Sequence, residues 1–399
     1  MSADQLRRDD ERGPAVSDIQ YKCPSCSAPI EFDPKSGKMR CEFCGSALEV
    51  AEVERFNAAG SASSTTPAGA GAAGAAPQAA PAPGSAEAAS SWKSSEAAYV
   101  DRADMGGMKT LVCDSCGAEI VGDPTTISTR CGFCNNTFIA SERIVETRVP
   151  DFIIPFAIDK EGMLEAFEKA TKGKFLLPKA FKDRHTLSEA TGAYIPYWYH
   201  DGSASGTLTF QATNTRSWSD SEYDYTETDV YDVTRSASAP FRGLPVCATT
   251  KLEPERAEGA EPFDLADSRA FTTPYLSGYA ASSYDIEARA TLERADQRVK
   301  STLFSMVAGT ITGYDSVNPT SSEIRVDRSA VWYALLPIWL IVIGYEGKKY
   351  PFAINGQTGE VVGSFPISKP KMRALRAAFT LPFAAAFGAL AWFIVQFFL

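Results

Sequence analysis

The sequence predicts an α+β protein with two small zinc ribbons, a β-rich cytosolic domain with a few helices, and one C-terminal transmembrane helix. Three observations support this prediction. A four-cysteine motif occurs twice, runs of β-branched and aromatic residues separated by turn residues recur within residues 150–370, and residues 377–399 contain no charged side chain. With 399 residues, of which 44% are hydrophobic, the chain is long enough for two or three domains with ordinary cores.

The first four-cysteine motif predicts a zinc ribbon at residues 19–52, after a disordered N-terminus at residues 1–18. Its ligands would be Cys23, Cys26, Cys41 and Cys44. Two Cys-x-x-Cys turns joined by a hairpin place four thiolates around one tetrahedral site. The N-terminus has no apolar segment of the kind found in secretion signals. This indicates a reducing compartment, where such cysteines bind metal more often than they form disulfides.

The same motif returns ninety positions later and predicts a second ribbon at residues 108–142. Its ligands would be Cys113, Cys116, Cys131 and Cys134. Other residues recur with the cysteines, including Ile30 as Ile120 and Phe43 as Phe133. Agreement beyond the cysteines indicates an internal repeat of one structural unit.

The chemistry of four thiolates favours structural zinc at both sites. A complete set of four protein ligands leaves no position open for water or substrate. A rubredoxin-type iron site and a thiol–disulfide couple remain as alternatives, because iron and disulfides use the same side chains.

The segment 53–100 is predicted to be a flexible linker. It consists mostly of Ala, Gly, Ser, Pro and Thr and has no hydrophobic period, so it cannot form a core. We therefore expect the first ribbon to be mobile, while the sequence leaves open whether the ribbons dock on the β-rich domain.

Residues 150–370 are predicted to form a β-rich domain. Asp159 is a candidate cap for a helix through Lys169, and apolar residues spaced by three or four predict a second, amphipathic helix. The apolar positions of that helix are Leu292, Ala295, Val299, Leu303 and Met306. Predicted strands are Tyr194–Tyr199, Thr207–Gln211, Tyr223–Val233 and Trp332–Tyr345, followed by tight hairpins in KKYPFAINGQTGEVVG.

Within this domain, Val331–Ile343 is apolar enough to suggest a second membrane span. We favour a buried strand instead. The run has thirteen residues, contains Pro337, and is rich in β-branched and aromatic side chains.

The sequence predicts no enzyme and no small-molecule substrate. His185 and His200 are the only histidines, and neither has a nucleophile nearby in the sequence, so His200 is expected to be a hydrogen-bonded turn residue. Cys247 is expected to be buried. No phosphate-binding P-loop motif occurs, and the acidic stretch Ser219–Val233 suits the solvated face of a strand better than a calcium loop.

The C-terminal segment 377–399 predicts a transmembrane helix, because 23 uncharged residues span roughly 34 Å as a helix. The basic residues before it are Lys369, Lys371, Arg373 and Arg376. By the positive-inside rule they predict a single-pass, tail-anchored protein of the cytoplasmic membrane with its N-terminal bulk in the cytoplasm.

Several segments together resemble a family of bacterial membrane-anchored proteins with TFIIB-type zinc ribbons, some of which are labelled primosomal or replication-restart-helicase-like. Besides the ribbons, these segments are IIPFAIDKEGMLEAF, FLLPKAFK, GAYIPYWYHD, FTTPYLSGYAASSYDIE and LLPIWLIVIGYEGKKYPFAINGQTGEVVG. The resemblance implies partners such as phage-shock-protein-A-like or SPFH-type membrane proteins and a role in envelope stress. The helicase label does not apply here, because the motor motifs are absent from the sequence.

The predicted function is that of a membrane-anchored zinc-ribbon scaffold that recruits protein partners. The alternative is a membrane-tethered nucleic-acid-binding protein of replication or transcription. Its support is the mildly basic first ribbon, with Lys22, Lys35, Lys38 and Arg40. The net charge of −10 argues against a large nucleic-acid interface and leaves a small local contact open.

Overall fold

The computed structural model of the protein describes residues 20–61, 109–112, 119–122, 125–130, 137–139 and 148–398. Residues 20–61 form the first ribbon, and residues 148–368 form most of a large sheet domain.

The first ribbon is a three-stranded antiparallel sheet followed by a helix. Its strands are β1 (Glu31–Asp33), β2 (Lys38–Arg40) and β3 (Ala47–Leu48), and the helix is α1 (Val50–Ser61). Helix α1 continues past residue 53, where the sequence predicted a linker to begin. It belongs to the ribbon because Val53 is fully buried and the Asn57 side chain accepts a hydrogen bond of 2.9 Å from the backbone N–H of Lys22.

Four strands are described in the region of the second cysteine motif. They are β4 (Lys109–Val112), β5 (Glu119–Gly122), β6 (Thr126–Arg130) and β7 (Thr137–Ile139). Strands β4 and β5 pair with each other, whereas β6 and β7 join the large sheet, where Ser128 pairs with Ala281. The predicted ligands Cys113, Cys116, Cys131 and Cys134 lie outside the described residues.

The sheet domain contains the remaining elements. In chain order they are β8 (Phe152–Ile153), α2 (Lys160–Thr171), α3 (Arg184–Leu187), β9 (Thr191–Ser219), β10 (Asp224–Cys247), α4 (Pro254–Gly259), β11 (Arg269–Ala270), β12 (Ala280–Ser282), α5 (Leu292–Ala308), β13 (Ser316–Tyr345), β14 (Lys348–Asn355), β15 (Val361–Val362) and α6 (Lys369–Phe398). The described strands form a ten-stranded sheet in the order β11-β8-β13-β9-β12-β6-β7, in which β10 pairs with β9, and β14 pairs with β13 and β15.

Both faces of the central sheet are covered, which explains the continuous apolar run in β13. One face packs Tyr194, Trp198 and Tyr333 against the helical segments that follow β8 and against the first ribbon. The other face packs Tyr197 and Trp332 against the region of α4. A strand buried on both faces needs apolar residues at every position. Val331–Ile343 is accordingly a strand of this core, as predicted.

Strands β9, β10 and β13 extend beyond this core as a three-stranded arm, formed by residues 202–240 and 316–328. Helix α5 covers one face of the arm, where Leu208, Phe210 and Val233 pack against Val307. The other face is exposed and carries cross-strand pairs of hydroxyls, such as Thr207 with Ser236 at 2.9 Å and Thr213 with Ser316 at 3.0 Å. The arm is therefore amphipathic, as a sheet with one solvated face should be.

The sequence predicted two short strands where β9 is one strand of 29 residues. Turn residues separate those two predicted strands in the sequence, but the chain stays extended through Gly202 and Gly206. A Cβ at Gly202 would collide with the carbonyl oxygen of Asp327, and one at Gly206 with that of Glu323. These glycines allow β9 and β13 to approach closely, a use of glycine that sequence alone does not separate from a turn.

The two predicted helices of the sheet domain are present. Asp159 caps α2, because its Oδ1 accepts a 3.0 Å hydrogen bond from the backbone N–H of Gly162. Helix α5 buries Ala295, Val299 and Leu303 as predicted, whereas Met306 is 58% exposed and Val307 is buried in its place.

The prediction of a C-terminal transmembrane helix is wrong. Within the described residues, no helix combines the length and the apolar character that a membrane crossing requires. Helix α6 begins eight residues before the predicted span and so includes the basic side chains, and it contains Pro382. Two of those side chains contact the sheet domain, since Lys371 Nζ donates to the carbonyl of Leu177 at 2.6 Å and Lys369 pairs with Glu346 at 3.0 Å. The predicted single-pass, tail-anchored localisation at the cytoplasmic membrane is also wrong, because it required a membrane-spanning helix that is not found among the described residues.

Candidate metal centre

The first ribbon brings its four predicted cysteine ligands together on two similar turns. In each turn a backbone N–H donates back to the first cysteine, from Ser27 to the Cys23 carbonyl at 2.8 Å and from Gly45 to the Cys41 carbonyl at 2.9 Å. Ser27 and Gly45 have φ angles of 58° and 73°. Positive φ suits glycine and is less favourable for serine, so the first turn has the more strained backbone.

The sulfur atoms of the four cysteines form a compact cluster. Cys23 Sγ lies 3.6 Å from Cys44 Sγ, and Cys26 Sγ lies 3.5 Å from Cys41 Sγ. All four lie within 4.8 Å of one another. A tetrahedral ion with sulfur bonds of 2.3 Å places its sulfurs about 3.8 Å apart. The cluster can therefore hold a metal ion with little rearrangement.

The cluster lies between the core of the ribbon and its surface. Cys23 and Cys41 are fully buried, whereas Cys26 and Cys44 are exposed. Hydrogen bonds from the Ser46 hydroxyl and backbone lower the pKa of the Cys44 thiol to about 6. This favours the thiolate, which is the form that binds metal.

The first ribbon packs on the sheet domain, contrary to the expectation that it moves independently. The Phe32 ring meets Tyr275 edge-on with centroids 5.2 Å apart, and the Phe32 N–H donates to the carbonyl of Ser277 at 3.2 Å. The Tyr21 and Thr273 hydroxyls lie 2.6 Å apart. The buried side chains of the ribbon thus form one continuous cluster with those of the sheet domain.

An ion pair adds to this packing. Lys35 Nζ lies 2.7 Å from Asp159 Oδ2, so the hairpin turn of the ribbon contacts the residue that caps α2. Burial by itself would raise the pKa of Asp159. The hydrogen bonds from Lys35 and from the Gly162 N–H, together with the charge of Lys35, outweigh burial, so the pKa of this carboxyl is lowered.

A cleft of about 900 Å³ lies where the ribbon meets the sheet domain. Glu31, Asp33 and Arg40 line it from the ribbon, and Tyr279 and Trp339 line it from the sheet domain. Cys41 also lines this cleft, so the metal centre and the sheet domain share one surface.

The two histidines and Cys247 lie away from the four-cysteine cluster. His200 is buried in strand β9, where Nε2 lies 3.0 Å from Thr291 Oγ1, so the prediction of a turn residue is wrong. His185 is exposed on α3. Cys247 is buried as predicted, and its burial raises the pKa of the thiol to about 11.

Sequence reasoning missed the residues on which the ribbon packs. Thr273, Tyr275 and Ser277 occur in FTTPYLSGY, a run of turn residues and aromatics with no metal-binding pattern. The segment 273–276 is a short 3-10 helix that presents Tyr275 to the ribbon. The one indication in the sequence was an aromatic-rich turn in an otherwise polar stretch. Such a turn does not indicate which part of the chain packs on it.

Fold and site together define a protein in which a four-cysteine cluster, arranged so that it could hold a metal ion, is packed on a large β-rich domain. The chain is 29% identical over 356 residues to a protein of Bacillus subtilis, the uncharacterized protein YdjG, and the match covers 89% of this chain and 92% of that one. No protein-family model matches the chain, and no solved structure matches it.

Proposed function

We propose that this protein is a non-enzymatic adaptor that contacts a partner protein through its zinc-loaded first ribbon. The observation that supports this most is the exposure of Phe43. This side chain is 78% exposed and lies between the ligands Cys41 and Cys44. A large aromatic residue held in solvent by a metal-bound turn suits a hot spot of a protein interface.

Zinc is the metal that this site fits best. Four thiolates complete a tetrahedral shell, and zinc prefers that geometry and that ligand set. A closed shell has no position for substrate, so the metal would stabilise the ribbon and orient Phe43. The repeat of the motif, with Phe133 in the place of Phe43, supports a second site of the same kind at Cys113, Cys116, Cys131 and Cys134.

The contacts of the basic residues weigh against nucleic acid as the partner. Lys35 pairs with Asp159, and Lys38 pairs with Glu49 at 2.8 Å. Two of the four basic side chains that favoured a phosphate contact are therefore already compensated by carboxylates. A phosphate backbone would meet the remaining two, Lys22 and Arg40, and Arg40 lies opposite Glu31 in the β1–β2 register.

The proposed partners are proteins. The family resemblance makes phage-shock-protein-A-like and SPFH-type proteins the first candidates, and it also supports a TFIIB-type ribbon. Phe43 would insert into an apolar pocket of such a partner, with Glu42 and the ends of the two cysteine turns around it.

Site-specific photo-crosslinking tests this proposal. Phe43 is replaced by benzoylphenylalanine in the full-length protein, and the crosslinked species are identified with zinc present and after chelation. The control carries the same probe at Ala51, an exposed position on α1 of the same ribbon. We expect protein crosslinks from position 43 that require zinc and are absent from position 51.

Two results would overturn the proposal. One is crosslinking of position 43 to nucleic acid alone. The other is an identical set of crosslinked proteins from positions 43 and 51, because an oriented hot spot must give a pattern of its own.

A further inference from the structure

The arm ends in a projecting hairpin tip, formed by residues 214–229. The first residue of strand β13 is Ser316, which lies opposite Thr213. Beyond this point only β9 and β10 pair, from Asn214 with Asp229 to Ser219 with Asp224. Six pairs extend about 20 Å. A two-stranded ribbon of this kind is marginally stable in water by itself, and contact with another surface would stabilise it.

The two faces of the tip differ in chemistry. One face continues the hydroxyl pairs of the arm, with Ser217 and Thr226 at 3.2 Å and Thr215 and Thr228 at 3.3 Å. The opposite face lies beyond the C-terminal end of α5 and carries Trp218 and Tyr225, which are directly opposite each other in the register. We call this the aromatic face.

The rings on the aromatic face are arranged as a platform. Trp218 and Tyr225 stack with centroids 5.5 Å apart and an interplanar angle of 12°, and Tyr223 meets Tyr225 edge-on at 6.3 Å. Trp218 is 49% exposed and Tyr223 is 60% exposed. Stacked aromatic rings that remain half in solvent at the end of a projection are typical of a binding surface.

The tip is rich in carboxylates. The tip contains five acidic residues, which are Asp220, Glu222, Asp224, Glu227 and Asp229, and one basic residue, Arg216. Arg216 is already paired with Glu227 at 2.7 Å. Asn214 lies on the same face of β9 as Trp218, because the two are separated by an even number of positions. Asp229 is opposite Asn214 in the register, so it also lies on the aromatic face, and it is exposed. The surface therefore combines aromatic rings with uncompensated negative charge.

We propose that the aromatic face of the arm tip binds an arginine-rich segment of a protein partner. A guanidinium group stacks on Trp and Tyr rings and donates paired hydrogen bonds to carboxylates, so it satisfies both features of this surface at once. The site lies on the arm rather than on the ribbon, and it therefore goes beyond the proposed function.

The charge of the tip disfavours other occupants. Phosphate groups of nucleic acids would be repelled by the five carboxylates. A second copy of the tip would bring like charges together. A cationic protein segment is the occupant that matches both the sign of the charge and the aromatic rings.

Binding of a fluorescein-labelled peptide of alternating arginine and glycine to the full-length, zinc-loaded protein tests this inference by fluorescence anisotropy. We expect saturable binding that weakens as salt rises. Trp218→Ala should weaken it about tenfold, because it removes the larger ring of the stack. Asp229→Asn should weaken it several-fold and reduce the salt dependence.

The matched control is Phe175→Ala, which removes an exposed aromatic side chain outside the arm and should leave peptide binding unchanged. Circular dichroism of each variant shows whether the hairpin keeps its strands. Absence of saturable binding, or equal affinity of the wild type and Trp218→Ala, would overturn the proposal. So would binding of the tip to phosphatidylcholine vesicles in place of the peptide. Peptide binding to the arm tip should persist after chelation, whereas the proposed ribbon interface requires zinc. A failure of the arm-tip proposal can therefore be distinguished from a failure of the ribbon proposal.

Discussion

His200 shows how a single residue can acquire a property that its sequence neighbours do not indicate. The Thr291 hydroxyl donates to the carbonyl of Ala288 at 2.7 Å, so it must accept from His200 Nε2. The other ring nitrogen, Nδ1, is buried and has no hydrogen-bond partner in the part of the chain that the structure describes. Burial, and then the charge of Arg328, lower the pKa of His200 to about 4. The ring is neutral in the folded protein at neutral pH.

This shift predicts a loss of stability in mild acid. In the unfolded chain the ring takes up a proton near pH 6.5, whereas in the folded protein it stays neutral down to about pH 4. The unfolded state therefore binds the extra proton within this window, and stability is present above it and lost as pH falls. We expect His200 to account for a loss of about 2 kcal/mol between pH 7 and pH 5.

Urea unfolding of the wild type and His200→Gln at both pH values checks this prediction. Glutamine retains an N–H for Thr291 and does not titrate, and the pH dependence of the shared metal site cancels in the difference. Parallel changes in the free energy of unfolding of the two proteins would contradict it.

The residues of the metal site could be predicted because their chemistry is local. Spacing alone places Cys23 and Cys26, and Cys41 and Cys44, on two turns. Gly45 after the second turn suits the positive φ that this position adopts, whereas Ser27 at the matching position of the first turn gives no such signal in the sequence. By contrast, the Tyr21 hydroxyl contacts a residue 252 positions away, and no local pattern encodes such a pair.

At the scale of elements, the packing of the ribbon on the sheet domain should contribute to metal binding. Phe32 lies in β1, is nearly fully buried and contacts Tyr275 across this interface. If metal binding folds the ribbon and packing stabilises the folded ribbon, the free energies of metal binding and of packing are linked. We expect Phe32→Ala to lower zinc affinity at least about tenfold, because truncating a buried phenylalanine costs about 3–5 kcal/mol.

Competition with a chromophoric chelator measures this effect. The control is Lys35→Ala, which removes a largely solvent-exposed ion pair with Asp159 and should change zinc affinity by less than about fivefold. Phe43→Ala should leave affinity unchanged, because its side chain is exposed. Unchanged affinity of Phe32→Ala would show that the interface and the metal site are independent.

The existence and type of the longer elements were predictable, but their extent was not. The period of α5 and the cap of α2 were visible in sequence because both signals are local. The length of β9 depends on its pairing with β13, which begins about a hundred residues later. A glycine can allow two backbones to approach closely at one position and form a turn at another. Only the position of the partner strand distinguishes these two uses of glycine.

At the scale of the whole molecule, the two units differ in what holds them together. The sheet domain has a core on each face of a ten-stranded sheet. The ribbon has three short strands and one helix, which is too little apolar surface to fold without a metal or a neighbour. The α+β character and the four-cysteine cluster of the first ribbon were predictable from composition and spacing. The absence of a membrane-spanning helix among the described residues was not predictable in this way. A count of apolar residues takes no account of where α6 begins or of the contacts that its basic residues make.

This difference predicts that removal of metal unfolds the molecule in part. A strong chelator should unfold residues 20–61 and uncover the surface around Tyr275, while β9 and β13 keep their hydrogen bonds. Hydrogen–deuterium exchange should then rise in peptides from the ribbon and from residues 271–279, and stay low in peptides from residues 331–343. Cys41→Ser should reproduce the change without chelator, whereas Cys247→Ser, outside the metal site, should not. Rapid exchange throughout residues 331–343 after chelation would show that the sheet domain depends on the metal, and unchanged exchange in the ribbon would show that the ribbon does not.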